Sequence, residues 1–391
     1  MSNPSRFPRG EAAIAGIGCT AYSKDSGVSV FNLAAEAIKA AVADAGLSMA
    51  DVDGLVTFGP NDSIPPNMLA QGLGIQSMSF FLDHFLGGSV SISTVGQAAL
   101  AVSAGVADCV VVYRALNGRS EIRMNGTGAP RMRQPWDMPY KINAGYIAPS
   151  QEIAMAARAH MLRYGTTNED FGRVAIMSRN HALDNPRAMM HVPLTMDDYL
   201  ESRWIADPFR KYDCCLETDG AAAVVIVPAD RAKDLPHRPV LVQGAAWGGG
   251  ITIVNNAFDD IADSPARPVA ARLYASAGVG PGDIDLIEFY DCFTYSVISQ
   301  VEGYGFAEPG EVPAMLAEGR FDRDGGELPI NTHGGLLSEA YIHGINHVYE
   351  AVEQLRGDAG VRQVERHDTA LVTGQVGYVS GYSSAVILQG A

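Results

Sequence analysis

Ala45-Gly46-Leu47-Ser48-Met49-Ala50-Asp51-Val52-Asp53-Gly54-Leu55-Val56 and Ala277-Gly278-Val279-Gly280-Pro281-Gly282-Asp283-Ile284-Asp285-Leu286-Ile287-Glu288 are two copies of one pattern. They align without a gap at an offset of 277 − 45 = 232 positions. Each copy leaves an Ala-rich helix, over Val30–Ala45 and Pro268–Ala277, and enters a strand. Each is preceded by an apolar run that ends in glycine, Ala12–Gly18 and Pro239–Gly244. Strand, helix, strand in that order reads as a right-handed parallel crossover. Pro268 fits the first turn of its helix, where a missing N–H costs nothing. Two such units predict a duplicated α/β architecture whose sheets are covered by helices.

The rest of each half corresponds as well. Ser93–Ala104 predicts a small-residue helix and Asp108–Tyr113 a buried strand. Their counterparts are a helix over Gly344–Leu355 and a strand over Thr369–Thr373. From about Arg114 to Tyr212 the composition turns to Arg, Met, Asn and Pro, the mark of a long loop-and-helix insertion. Within it, Gln151–Tyr164 and Asn168–His181 carry helical periodicity. Asp219–Ile226 resumes the first half as a buried strand, and a polar boundary follows near Ala229–Arg238. The expected halves are 1–235, holding the insertion at about 114–212, and 236–391.

At 391 residues the chain exceeds one ordinary core. Hydrophobic residues at 47% against 18% charged fit a large buried interior and exclude disorder. The net charge of 28 − 44 = −16 repels phosphate backbones, which argues against nucleic acid while leaving room for a local basic patch. Cys19, Cys109, Cys214, Cys215 and Cys292 form no CxxC spacing, so neither a disulfide framework nor a zinc site is expected. Met1–Gly10 lacks an apolar signal core, and no apolar run reaches the roughly 18 residues of a membrane span. A cytoplasmic, reducing compartment is the expectation.

The duplicated halves, the insertion and four local motifs resemble the thiolase superfamily, over roughly Glu11–Gln389. The closest likeness is to the sterol-carrier-protein-x type and its lipid-transfer-protein relatives. The resemblance implies a thiolase fold, a duplicated five-layered α-β-α-β-α arrangement with a capping loop insertion. Thiolases present Cys-x-x-Gly at a buried helix N-terminus, where the dipole favours a thiolate. Here that stretch is Ser93-Thr94-Val95-Gly96. A serine hydroxyl is a poor nucleophile without a base, and an N-cap is the better reading of Ser93. The subtype's His-Asp-Cys-Phe reads Tyr290-Asp291-Cys292-Phe293. After Asn331-Thr332-His333-Gly334-Gly335, the position of the Gly-His-Pro histidine falls on Tyr341. The C-terminal Cys-x-Gly reads Val372-Thr373-Gly374, which keeps only the glycine.

Both cysteines and both histidines are thus replaced together, with tyrosine at both histidine positions. That points to a repurposed site rather than decay. The pattern resembles the steroid side-chain-cleaving aldolase branch. The resemblance implies retro-aldol cleavage of a β-hydroxyacyl-CoA, a 17-hydroxy steroid side-chain ester, to a 17-ketosteroid and a short acyl-CoA. Tyr290 and Tyr341 become the acid/base pair, with no covalent acyl-enzyme. The N–H groups of Ser93 and Gly374 become oxyanion donors, while Asp291, His343 and Tyr295 are supporting groups for which a structural role weighs as much. The alternatives are a condensing enzyme acylated on Ser93 and a non-catalytic acyl-CoA-binding subunit. The branch also implies a homodimer and a small OB-fold, zinc-ribbon-like partner. No covalently bound cofactor is expected, and any zinc belongs to the partner. No membrane association is expected.

Other features weigh less. Gly248-Gly249-Gly250 lacks phosphate-loop spacing and reads as a tight turn. His343 and His347 have helix-compatible spacing, but no HExxH pattern accompanies them, and no metal site is expected. Arg119, Arg131 and Arg133 are candidates for CoA phosphates, with a solvated loop the plainer reading. Tyr378 and Tyr382 either line the pocket or pack.

Overall fold

The computed structural model describes residues 7–59, 62–121, 140, 143–146, 148–249, 261–375 and 382–391. The sites at Arg131, Arg133, Gly250 and Tyr378 lie outside the described residues.

Strands β1 (Ala12–Cys19), β2 (Gly54–Phe58), β3 (Phe80–His84), β4 (Val110–Asn117) and β7 (Asp219–Pro228) belong to the first half. Strands β8 (Val240–Gly249), β9 (Leu286–Glu288), β10 (Thr369–Gln375) and β11 (Tyr382–Gly390) belong to the second. The hairpin of β5 (Trp204–Ala206) and β6 (Phe209–Arg210) is separate. The sheet order is β3-β2-β4-β7-β1-β8-β11-β10-β9. Within the sheet, the two halves meet at β1–β8, through Ala13–Leu241 and Ile14–Val240. β2, β3 and β4 run parallel, as do β9 and β10, while β7 and β11 pair antiparallel with their neighbours.

The main helices are α1 (Val30–Asp44), α2 (Pro66–Leu73), α3 (Ser91–Ser103), α4 (Pro149–Tyr164), α5 (Asn168–Leu183), α6 (Arg267–Ala277), α7 (Thr294–Gly303) and α8 (Ile345–Arg356). Helix α1 covers β1, β7 and β4 from outside, and α6 covers β8 and β11. Helices α3 and α8 touch strands of both halves and fill the space between them. The result is one mixed sheet built from two similar halves, with helices against it. The glycine ending each apolar run has a packing reason. A Cβ at Gly18 would sit 2.3 Å from Ala41 N, and one at Gly244 2.6 Å from Ala277 Cβ. Each outer helix therefore lies directly on its strand.

The insertion begins later than its composition suggests. Arg114 belongs to β4, fully buried, and not to a loop. Its charge breaks the apolar run, but buried partners described below hold it. Gly248 and Gly249 end β8 and do not form a turn, and Tyr382 opens β11. Helix α4 is tied to α7 by His160 Nε2–Glu302 at 3.0 Å. Helix α5 packs on the one-turn helix Gly335–Ser338, which brings the insertion over the second half. Among the described residues no helix is long and apolar enough to cross a membrane.

Candidate active site

Strand β9 stops at Glu288, and the next two residues are clamped from both sides. Phe289 N donates to Asn331 Oδ1 at 2.7 Å, and Asn331 Nδ2 donates back to Phe289 O at 3.0 Å. Tyr290 N donates to Thr373 Oγ1 at 3.0 Å, and Tyr290 O accepts from Gln300 Nε2 at 3.0 Å. Tyr341 is held in the same manner by one threonine. Its N donates to Thr218 Oγ1 at 2.9 Å, and its carbonyl accepts from that hydroxyl at 3.2 Å. Backbones fixed this way aim both rings at one point. The two phenol oxygens lie 2.8 Å apart, fully inside the protein.

Burial pushes both phenols well above their ordinary pKa; Tyr341 raises Tyr290 further, whereas the hydrogen bond from Tyr290 works against the rise at Tyr341 without cancelling it. Both are protonated at neutral pH. Two glycines make room for the Tyr290 ring. A Cβ on Gly88 would come within 2.1 Å of its Oη, and one on Gly344 within 3.1 Å of Cδ2. Cys292 is buried, its thiol pushed up to about 12 by that burial, so it is no nucleophile.

The remaining expected residues separate into those near the pair and those that serve structure. Ser93 is not an N-cap. Val90 is, and the Ser93 hydroxyl, in the first turn of α3, donates to Val90 O at 2.7 Å and accepts from Gln97 Nε2 at 3.3 Å. Gly374 lies against the start of α3, where a Cβ would stand 2.5 Å from Gly88 O and 2.6 Å from Ser91 Oγ. Asp291 accepts from Leu336 N at 2.8 Å and Leu337 N at 3.3 Å, capping the one-turn helix that leads to Tyr341. Tyr295 turns away, into the rings of His160 and Phe171 at 5.5 and 6.3 Å. His343 sits on the Tyr341 ring at 4.7 Å between centroids. Its Nδ1 accepts from Arg114 Nε and Nη2 at 3.0 and 2.8 Å, and Arg114 Nη2 also bonds Asp62 at 2.6 Å. The sequence reading missed Arg114, Asp62 and Gly88. An arginine inside Val110-Val111-Val112-Tyr113-Arg114-Ala115-Leu116 was the available signal, since a buried guanidinium requires partners.

His343 and His347 do not act together, because the first precedes α8 and the second lies in it. The carboxylate and imidazole atoms of Glu288, His333 and His347 do lie within 4.8 Å of one another. Each imidazole, however, also has a carboxylate on its other nitrogen. His333 Nε2 is 3.4 Å from Glu339, and His347 Nε2 is 3.2 Å from Asp291. A ring between two carboxylates is built to be an imidazolium, not a metal ligand.

A cleft of about 610 Å³ runs along the segment Cys214–Glu217 and past Leu337 and Ser338, with neither tyrosine in its lining. Lys24, Arg119, Arg179, Arg203 and Lys211 line it against the single carboxylate of Glu217. Cys215 and Leu337 also line it, and Cys215 N bonds Cys292 O at 3.0 Å, two residues beyond Tyr290. Its walls otherwise include Met190, Leu194 and Ile205.

Residues 12–230 match the family model described as Thiolase, N-terminal domain, and residues 253–389 the one described as Thiolase C-terminal domain-like. The chain is 44% identical over 381 residues to the steroid side-chain-cleaving aldolase of Thermomonospora curvata, covering 94% of this chain and 96% of that one. It is 43% identical over 378 residues to 17-hydroxy-3-oxo-4-pregnene-20-carboxyl-CoA lyase of Mycobacterium tuberculosis, covering 94% and 97%. The solved Ltp2-ChsH2(DUF35) aldolase superposes with a TM-score of 0.91 at 43% identity, over 98% of this chain and 99% of that one. Human mitochondrial 3-ketoacyl-CoA thiolase superposes at 0.71 and 16% identity over 98% and 100%, a likeness of fold alone.

Proposed function

The chain belongs to the thiolase superfamily, as a carbon–carbon lyase of its aldolase branch, and from that premise we propose that it cleaves a β-hydroxyacyl-CoA through a tyrosine pair. The substrate we propose is a 17-hydroxy steroid side-chain CoA ester, and the products are a 17-ketosteroid and a short acyl-CoA. The observation that carries this reading is the buried Tyr290–Tyr341 contact at 2.8 Å, standing where thiolases have histidines.

The reaction needs one proton removed and one returned. The β-hydroxyl gives its proton to one phenol as the C–C bond breaks. The electron pair enters the thioester as an enolate, and the α-carbon takes a proton from the other phenol. In the same step the first phenol passes its own proton across the 2.8 Å contact to the second, so the relay ends with both phenols protonated. Neither phenol then has to carry a full charge, which suits groups that burial holds protonated. Backbone N–H groups at Ser93 and Gly374 are our proposed enolate donors, with Asp291 and His343 supporting the pair.

The cleft supports an acyl-CoA. It gathers five cations in a chain of net charge −16, alongside the apolar side chains of Met190, Leu194 and Ile205. Arg179 is buried there with no carboxylate partner among the described residues. We further propose a homodimer and a small partner protein. The exposed edge strand β3, with Phe81 at 65%, and Phe85 just after it at 51%, favour the first. The complex named in the closely similar solved aldolase favours the second.

The test is to incubate the co-expressed complex with a panel of β-hydroxyacyl-CoA esters and follow ketone and acyl-CoA release. Cleavage without any acyl adduct by mass spectrometry is expected. An adduct on Ser93 would establish the condensing alternative, and no turnover of any ester would favour a binding subunit.

A further inference from the structure

The contact between Arg114 and His343 lies against the tyrosine pair without belonging to it. A guanidinium has donors only, so the Nδ1 that accepts from Arg114 at 2.8 and 3.0 Å carries no proton. The neutral ring must hold its proton on Nε2. That atom is buried and has no partner among the described residues. It lies 3.5 Å from where a Cβ on Gly87 would stand, and the next residue, Gly88, is the one that makes room for the Tyr290 phenol. His343 is also one of two non-glycine residues with positive φ among the described residues, at +52°. Such a conformation persists where the surroundings enforce it, and it clusters at functional sites. A buried N–H with nothing to bond is costly, so a free one beside two reactive phenols points to an acceptor on the substrate.

We infer that Arg114, positioned by Asp62, fixes His343 as a neutral Nε2–H donor to the thioester oxygen of the substrate. The inference rests on the retro-aldolase reading. As the C–C bond breaks, its electron pair moves onto that oxygen, and a donor already in place gains strength without reorganising. The groups facing the ring are Arg114, Asp62 behind it, and the Tyr341 phenol. Burial first, and Arg114 next, push the imidazole down to about 3, so it stays neutral through the working range. His343 touches substrate in this scheme. Arg114 and Asp62 are positioning residues that act through it.

The experiment uses the full chain co-expressed with its proposed partner and labelled with 15N-histidine. The His343 signal is assigned by its loss in His343→Gln. The neutral Nε2–H tautomer is expected across about pH 5 to 8. A steroid acyl-CoA lacking the β-hydroxyl keeps the thioester and cannot cleave, and its binding should move the Nε2–H resonance. An Nδ1–H tautomer, an imidazolium, or an unmoved resonance overturns the inference. These readouts need no turnover, so an inactive wild type sinks the retro-aldolase reading by itself. In kinetics, His343→Gln places an amide N–H near Nε2 and should keep kcat within about tenfold. His343→Leu should lose about 100-fold or more in kcat, with KM changed less. Arg114→Met/Asp62→Asn removes both positioning partners, so the Nδ1–H tautomer should appear in the spectrum, while burial, the larger cause, still holds the ring's ionisation below the ordinary histidine value of about 6.5. Unchanged kcat in the Leu variant, or a tautomer still fixed as Nε2–H in the folded double variant, overturns it.

Discussion

A histidine exchanges its proton near neutrality, whereas a buried tyrosine holds it far above, so replacing both histidines changes what the site can do. Two phenols at 2.8 Å can pass a proton without either ionising for long. Tyr290→Phe and Tyr341→Phe should each lower kcat by about 100- to 10,000-fold, measured on the cleavable ester. Each leaves one buried hydroxyl unpaired, at a cost of about 1–3 kcal/mol, so both should still unfold cooperatively in urea. Full activity in either folded variant excludes that tyrosine from the chemistry. Gly88→Ala tests the geometry rather than the group. Its methyl would overlap the Tyr290 phenol, within 2.1 Å of Oη, so kcat should fall although no reacting atom is removed. A crystal structure of this variant with an undisturbed Tyr290 would show that the ring's position is not what the glycine protects.

Strand β4 and the loop after β2 carry a buried guanidinium–carboxylate pair that reaches the site, Arg114 to Asp62 at 2.6 Å. Arg114→Met alone strands a buried carboxylate and should cost about 3–5 kcal/mol, read as a lower urea midpoint. Adding Asp62→Asn should recover part of it, and a double variant no better than the single refutes the pairing. The same strand shows what a sequence reveals and what it hides. The elements of both halves were legible because apolar periodicity and the 232-position offset repeat them, and their ends moved by only a few residues. Tyr290 and Tyr341 were legible because they occupy motif positions, although pairing them to 2.8 Å depends on Thr218 and Thr373, which no local pattern links. Arg114 was misread as the start of the insertion because its partners stand 52 and 229 residues away. Ser93 was misread as a cap because the helix begins earlier, where Val90 takes that position without a capping side chain.

Behind the tyrosines, one ionic network joins the end of α5, strand β9, helix α8 and the segment after it. His333 stands between Glu288 at 3.0 Å and Glu339 at 3.4 Å, as ion pairs rather than aligned hydrogen bonds. Arg187, just past α5, reaches Glu339, Glu350 and Glu353, and Arg362 reaches the last two. The network therefore anchors the insertion to the half that carries Tyr290 and Tyr341. Burial alone would lower the basicity of His333, but Glu339 and Glu288 outweigh it and push the imidazole up to about 10. Histidine in the unfolded chain titrates at its model value of 6.5. The folded state thus binds the extra proton between those values. Its stabilisation is complete below pH 6.5 and is lost as pH rises through 10. Glu288 and Glu350 are shifted the opposite way, down from 4.5, where burial is outweighed by His333 and by Arg362 respectively. Their share is present above pH 4.5 and is lost as pH falls below it. Stability should therefore peak at mildly acid pH and decline through the alkaline range. Urea midpoints taken from pH 6 to 10 should fall steadily in the wild type. In His333→Gln/Glu288→Gln the overall midpoint should be lower but the alkaline slope flatter. A wild-type midpoint that holds level to pH 10, or a double variant with the same slope, would place the proton elsewhere and leave this network without its imidazolium.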